Sequence, residues 1–244
     1  MKTNIKYRSA GDSSILMEFD LEINKETNAI LTNLSNLIES DSEKHFNETI
    51  IGYRSILIEY NPLELSFKEA ITKLEGLKGE AENGENHTSR HIEIPVLYGG
   101  EHGPDIESVS SYNNLSIEEV IDIHSSANYL VYFIGFTPGY PFLGGMSPEI
   151  ATPRLESPRI SIPPGSVGIA NNQTGIYPVE SPGGWRLIGQ TPIQLYDAKS
   201  DQPFLFKSGD NVRFNNIDIN EFNGIKEQVM KGTYKPTINE IKIK

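Results

Sequence analysis

IPPGSVGIANNQTGIYPVESPGGWRLIGQTP, residues 162–192, alternates apolar runs of only a few residues with glycine and proline. Residues 166–171 and 185–188 carry the β-branched and aromatic side chains of strands, and each run is closed off before a helical period develops. The surroundings have the same texture, since residues 135–195 hold ten prolines and ten glycines in 61 positions. Glycine costs folding entropy and proline removes a backbone donor, so this density suits a segment whose shape matters. Further short strands are predicted at 129–136, Arg159–Ile162, 192–196, 203–207 and 211–214, separated by turn residues. Many short strands with Gly/Pro corners indicate a barrel or sandwich. Its corners are either structural only or a rigid surface that holds fixed dipoles and rings against a ligand.

Upstream the texture changes. Pro62 is the only proline before residue 91, and the other fourteen follow it. Between the two regimes lies GEAENGENHTSR, residues 79–90, polar and without a periodic apolar face, which reads as a linker. The expected division is therefore a small domain over 1–85 and a larger one over 86–244. In the first, Ser14–Phe19 reads as a strand, and Lys25–Glu39 places Ile30, Leu31, Leu34, Leu37 and Ile38 on one helical face. Two β-rich runs, 46–53 and Ser55–Tyr60, have Gly52 near the turn between them, and Ser66 with Glu69 has the spacing of a capping box. Residues 91–96 either supply a last strand, giving the order β-α-β-β-α-β, a ferredoxin-like pattern in an α+β protein, or equally open the second domain. In the second part, Pro104 and Asp105 suit a helix start, Ser116 and Glu119 open a helix running to about His124, and residues 218–229 form a capped helix. Residues 233–243 read as a final extended segment.

The 244 residues carry 21 basic and 33 acidic side chains, a net charge of −12, which disfavours polyanion partners such as nucleic acid. Zero cysteines exclude disulfides, thiolate metal sites and thiol catalysis. The start, MKTNIKYRSAGDSS, has no apolar signal region, and the apolar run near 129–136 is far short of the roughly 20 residues of a membrane span. A cytoplasmic protein is expected.

Residues 91–198 contain no lysine, and besides histidine their only basic side chains are Arg154, Arg159 and Arg186. The planar guanidinium suits bidentate recognition of carboxylate or phosphate, so the set points to an anionic ligand, while each arginine singly could equally be a structural pair to Glu149, Glu156 or Glu180. The glycine pairs 99–100, 144–145 and 183–184 are candidate anion nests. His124, at a helix C-terminus whose dipole favours its protonated form, is the candidate proton carrier, or simply a helix cap. No Walker A, G-x-G-x-x-G, H-E-x-x-H or G-x-S-x-G pattern is present, and no metal site is predicted. The chain holds parts of a site and no self-sufficient catalytic set.

Several segments together, namely YGGEHGPDI (98–106), YFIGFTPGYPFLGGM (132–146), TPRLESPR (152–159), the stretch 162–192 and the late Ser208-Gly209-Asp210, closely resemble the family of 5-oxoprolinase B subunits. That family is also described as KipI-like or allophanate hydrolase subunit 1, and the likeness extends to Gly11-Asp12 and YRSILIEYNP (53–62). The resemblance implies a cyclophilin-like β-barrel related to carboxyltransferase domains, preceded by a small α/β domain. It implies work with 5-oxoprolinase subunits A and C in the ATP-dependent (with Mg) opening of 5-oxoproline to L-glutamate, or, as in a related member, inhibition of a sensor histidine kinase. Carried over residue by residue, it points to His124, Arg159 and Arg186 as catalytic. Gly135, Phe136, Pro138, Gly139, Arg154, Gln173, Tyr177, Ser181, Gly183, Gly184 and Trp185 are then substrate-binding. His102 stands where the resemblance implies an aromatic residue, and no biotinylation motif is present.

Overall fold

A computed structural model describes residues 4–40, 44–83 and 87–243. The chain divides into two compact units, one running to Thr88 and one spanning Ser89–Ile241.

The first unit is an antiparallel sheet with two helices. Its strands are β1 (Ile5–Ser9), β2 (Ser14–Phe19), β3 (Phe46–Ile51) and β4 (Ser55–Tyr60), in the order β1-β2-β4-β3, with α1 (Lys25–Glu39) and α2 (Phe67–Asn83). Period-2 alternation turns Ile15, Met17 and Phe19, and Ile56, Ile58 and Tyr60, to one face, where they meet Leu31, Leu34 and Ile38 of α1 and Leu74 of α2. Asn24 caps α1 by accepting from the Thr27 N–H at 2.9 Å, and the Ser66–Glu69 box forms at the head of α2. The ferredoxin-like order is corrected here to ββαββα. β1, whose sequence IKYRS alternates long polar with apolar side chains, pairs with β2 at the sheet edge. The run expected as a last strand belongs to the second unit, where Ile92, Ile94 and Val96 are buried in the barrel core. The expected linker is also shorter, because α2 runs to Asn83 and β5 (His87–Tyr98) begins at once; residues 84–86 of that linker lie outside the described residues.

The second unit is built on one curled sheet. Its strands are β6 (Tyr129–Ile134), β7 (Pro141–Gly144), β9 (Ser166–Ala170), β10 (Gln173–Ile176), β12 (Arg186–Gln190), β13 (Asn211–Asn216) and β14 (Ile238–Ile243), together with β5. The order is β10-β9-β12-β5-β13-β6-β7, with β14 also on β5, and β10 lies against β7, so the sheet forms a nearly closed barrel. β8 (Arg159–Ile162) and β11 (Ser181–Gly183) form a separate two-stranded ribbon. Helices α3 (Ile106–Asn113) and α4 (Ile117–Ser126) precede β6, and α5 (Ile219–Met230) follows β13; the predicted capping box Ser116–Glu119 forms, and the helix expected to be capped at 218 is closed by a second box, Asp218–Glu221. Residues 192–196 and 203–207 do not become strands, and only a single bridge, Tyr196 to Phe204, joins them. β7, β10 and β11, rich in glycine and proline, are strands that the local pattern did not signal.

Candidate functional site

The Gly/Pro segment converges on an aromatic floor. Tyr140, Tyr177 and Trp185 meet edge to face, with ring centroids 5.6 to 6.4 Å apart and interplanar angles of 81° to 87°. Such T-shaped contacts let the positive edge of one ring meet the negative face of the next. Ile162 and Leu187 complete the buried cluster, with Phe142 packed against it. Two glycines make room: a Cβ at Gly175 would lie 2.6 Å from Tyr140 Oη, and one at Gly183 would overlap the Tyr177 hydroxyl. Gly183 is thus a cradle for a tyrosine. Neither Gly183 nor Gly184 has positive φ, and Gly184 accepts a hydrogen bond through its carbonyl from Leu155 N–H at 2.8 Å, so the nest expected there does not form.

Beside this floor residues 135–139 form a tight loop. Gly135 N–H donates to Tyr140 O at 3.0 Å, Thr137 N–H to Gly135 O at 2.8 Å and Tyr140 N–H back to Thr137 O at 3.1 Å. Phe136 is forced to φ +65°, unusual for a bulky side chain, and is 69% exposed. Its ring meets Tyr140 edge to face at 5.5 Å. The Thr137 hydroxyl oxygen is shielded from solvent and has no hydrogen-bond partner among the described residues. Strain and an orphaned polar atom held together in one loop are features that folding alone does not reward.

Of the three arginines, two are committed to structure. Arg159 donates to Asp105 Oδ1 at 2.7 Å and to Trp185 O at 3.3 Å, while Asp105 Oδ2 accepts the Leu187 N–H at 2.7 Å. Arg186 donates to Pro153 O at 2.9 Å and to Ser108 Oγ at 3.0 Å. Asp105, read in the sequence only as a helix start, is the hub that pins the Trp185 turn, and the glutamates expected as partners are not used. Arg154 is exposed and makes no hydrogen bond or ion pair among the described residues. Burial raises the Tyr177 pKa, opposed by the charge of Arg154, the Trp185 N–H and the charge of Arg159, so Arg154 extends a positive field over the floor.

His124 lies elsewhere, wholly buried in the barrel core. Its Nδ1 is 2.7 Å from Tyr98 Oη and its Nε2 2.8 Å from Thr174 Oγ1. Because the Thr174 hydroxyl donates to Gly168 O at 3.2 Å, its oxygen accepts from Nε2–H, and Nδ1 accepts the Tyr98 hydrogen. The ring stacks on Phe214 at 4.5 Å and 27°. Burial pushes its pKa down to about 3, which corrects the protonated ring expected at a helix end. The helix-end carbonyl is instead satisfied by the Tyr129 hydroxyl at 2.8 Å.

Known proteins resemble this chain in sequence and fold. Residues 5–206 match the family described as carboxyltransferase domain, subdomain C and D. A Bacillus subtilis protein, named as the B subunit of 5-oxoprolinase, is 42% identical over 93% of this chain and 99% of its own length. One of the same name from Escherichia coli O157:H7 is 46% identical over 68% of this chain and 76% of its own. The chain belongs to the family of 5-oxoprolinase B subunits. A Kluyveromyces lactis urea carboxylase structure shares the fold, with a TM-score of 0.77 at 23% identity over 98% of this chain and 24% of that one.

In this member of the 5-oxoprolinase B-subunit family, the sequence-derived candidates fall into three places. Gly135, Phe136, Pro138 and Gly139 form the loop; Arg154, Tyr177, Gly183, Gly184 and Trp185 surround the floor; His124 sits in the core. Gln173 lies on β10, and Ser181 is buried on β11, its hydroxyl 3.4 Å from Val179 O. Tyr140 and Asp105 are site residues that the sequence pattern does not signal, although Tyr140 directly follows the 135–139 loop. Among the described residues, no three His, Asp or Glu side chains are arranged to hold a metal ion, and no helix is long and apolar enough to cross a membrane.

Proposed function

We propose that this chain is the B subunit of a cytoplasmic, ATP-dependent 5-oxoprolinase that opens 5-oxo-L-proline to L-glutamate, its cyclophilin-like barrel supplying half of a site that the C subunit completes. The observation that carries this reading is the pairing of family membership with an uncommitted Arg154 beside a rigid aromatic floor and an exposed, strained Phe136. Arg154 reads the carboxylate of the lactam, and Tyr177 and Trp185 form the dry wall against which the ring lies. Phe136 and the 135–139 loop face the C subunit. Arg159, Arg186 and His124 are positioning residues in this scheme, the first two fixing the Trp185 turn and the third holding β10 through Thr174.

An unstrained lactam carbonyl is a poor electrophile, and ATP with Mg, bound by the complex, supplies a phosphoryl group that activates its oxygen. The donor set of the described residues does not fit Mg-ATP, since they hold neither a carboxylate cluster nor, between 91 and 198, a lysine. This chain's share is to bind, orient and exclude water. The test is co-purification with candidate subunits A and C, followed by glutamate release from 5-oxo-L-proline with and without ATP. ATP-dependent release that Arg154→Gln abolishes while assembly persists is the expected result. Full turnover by the isolated chain, or capture of a sensor histidine kinase with no effect on lactam turnover, overturns it.

A further inference from the structure

A cleft of about 510 Å³ opens between α5 and the turns around 164, 178–180 and 190–196. None of Arg154, Tyr177, Trp185 or Phe136 lines it, so it is distinct from the floor described above. Its size falls within the roughly 300–1,000 Å³ of small-molecule sites. Apolar walls come from Pro178, Pro192, Ile193, Tyr196 and Phe222. Two charges stand at it, Glu180 from one wall and Lys226 from α5, and neither is ion-paired or hydrogen-bonded among the described residues.

One wall is held in place from behind by His102, the residue that departs from the resemblance. His102 Nδ1 is 2.7 Å from Gln190 Oε1, and Gln190 Nε2 donates to Pro164 O at 2.9 Å. The imidazole also packs on Phe222 with centroids 4.5 Å apart. Three lining residues, Pro164, Gln190 and Phe222, are thereby tied together before any ligand arrives, which lowers the ordering cost of binding.

Glu180 and Lys226, both exposed at this apolar-walled cleft, offer a carboxylate and an ammonium complementary to a ligand bearing both charges. A lactam acid has a carboxylate for Lys226 but only a neutral ring amide for Glu180, whereas a free α-amino acid satisfies both. We infer that this cleft is a second small-molecule site, selective for a zwitterionic amino acid over a lactam. L-glutamate, the product of the turnover proposed above, is the member of that class it takes; this last assignment rests on the 5-oxoprolinase reading.

The test is a ¹H–¹⁵N titration of the full chain with L-glutamate, 5-oxo-L-proline and glutarate, which lacks the ammonium. L-glutamate saturably shifts amides of residues 179–180, 190–194 and 222–229, and the other two do not. Glu180→Gln and Lys226→Met each weaken binding at least about tenfold, since each removes a charge-assisted contact. His102→Phe keeps the ring packing, releases Gln190 and weakens binding by about threefold, in line with lost pre-organisation. No saturable shift, equal binding of the lactam, or unchanged affinity in both charge variants overturns the site. The 5-oxoprolinase reading fails on a separate measurement, absence of glutamate release by the reconstituted complex; saturable glutamate binding together with that failure overturns the product assignment.

Discussion

Acidification from pH 8 to pH 5 is expected to cost the barrel about 2 kcal/mol through His124 alone. In the unfolded chain the imidazole titrates near its ordinary value of 6.5, whereas burial holds the folded value down to about 3. Above pH 6.5 both states are neutral and the group is silent. Below it the unfolded chain takes up a proton that the folded one refuses, so stability falls as pH falls, by about 1.4 kcal/mol per unit, until about pH 3. At pH 5 the accumulated loss is about 2 kcal/mol. The assay is urea unfolding at both pH values, followed by fluorescence of Trp185, the chain's one tryptophan, which reports on the barrel. His124→Phe keeps a ring against Phe214 and cannot titrate, although it leaves the Tyr98 hydroxyl without its acceptor at a cost of about 1–3 kcal/mol. His124→Gln serves if that variant does not fold. The wild-type protein should lose about 2 kcal/mol more than either variant over the interval. Parallel losses would mean that the ring is not a buried neutral base, and the reasoning from its two hydrogen bonds would fall with it.

Gly183→Ala should cost about 1–3 kcal/mol by overpacking, because its methyl overlaps the Tyr177 hydroxyl and comes within 2.8 Å of Ile162; chemical denaturation measures it. Asp105→Ala should destabilise the barrel by about 2–3 kcal/mol, since it removes the carboxylate partner of Arg159 and the acceptor of the Leu187 N–H, and a thermal melt reads the loss. Asp210→Ala should cost more, about 3–5 kcal/mol in the same melt, because Asp210 is 1% exposed and is paired to Arg90 Nε at 2.8 Å while capping the Lys207 N–H at 2.7 Å. Phe136→Ala should change stability by no more than about 0.5 kcal/mol and yet weaken association with the C subunit in a pull-down; unchanged capture would remove the loop from the interface.

Features encoded by neighbours along the chain were legible without a structure. The boxes at Ser66 and Ser116 each need only a carboxylate three residues on, and both form, while the capped helix read at 218–229 starts from Asp218. The α1 boundaries followed from its apolar period. β7, β10 and β11 were invisible because glycine and proline lack strand propensity, and only pairing with β6, β9 and β8 makes them strands. The strand at 91–96 fitted either unit because its alternation suits any half-buried sheet, and the partners that decide the matter, β12 and β13, lie about a hundred residues later.

The roles of the charged residues divide along the same line. The sequence alone established that arginine is the only permanently charged cation type from 91 to 198 and that the Gly/Pro segment is a corner-rich β structure. It could not apportion those cations, because a guanidinium is bound by whatever oxygen folding brings to it. Asp105 meets Arg159 across 54 positions, and Thr174 meets His124 across 50. Folding alone decided that Arg159 and Arg186 are braces, that Arg154 is unspent, and that His124 is a neutral core base; desolvation and hydrogen-bond closure act through space and leave no periodic trace in the chain.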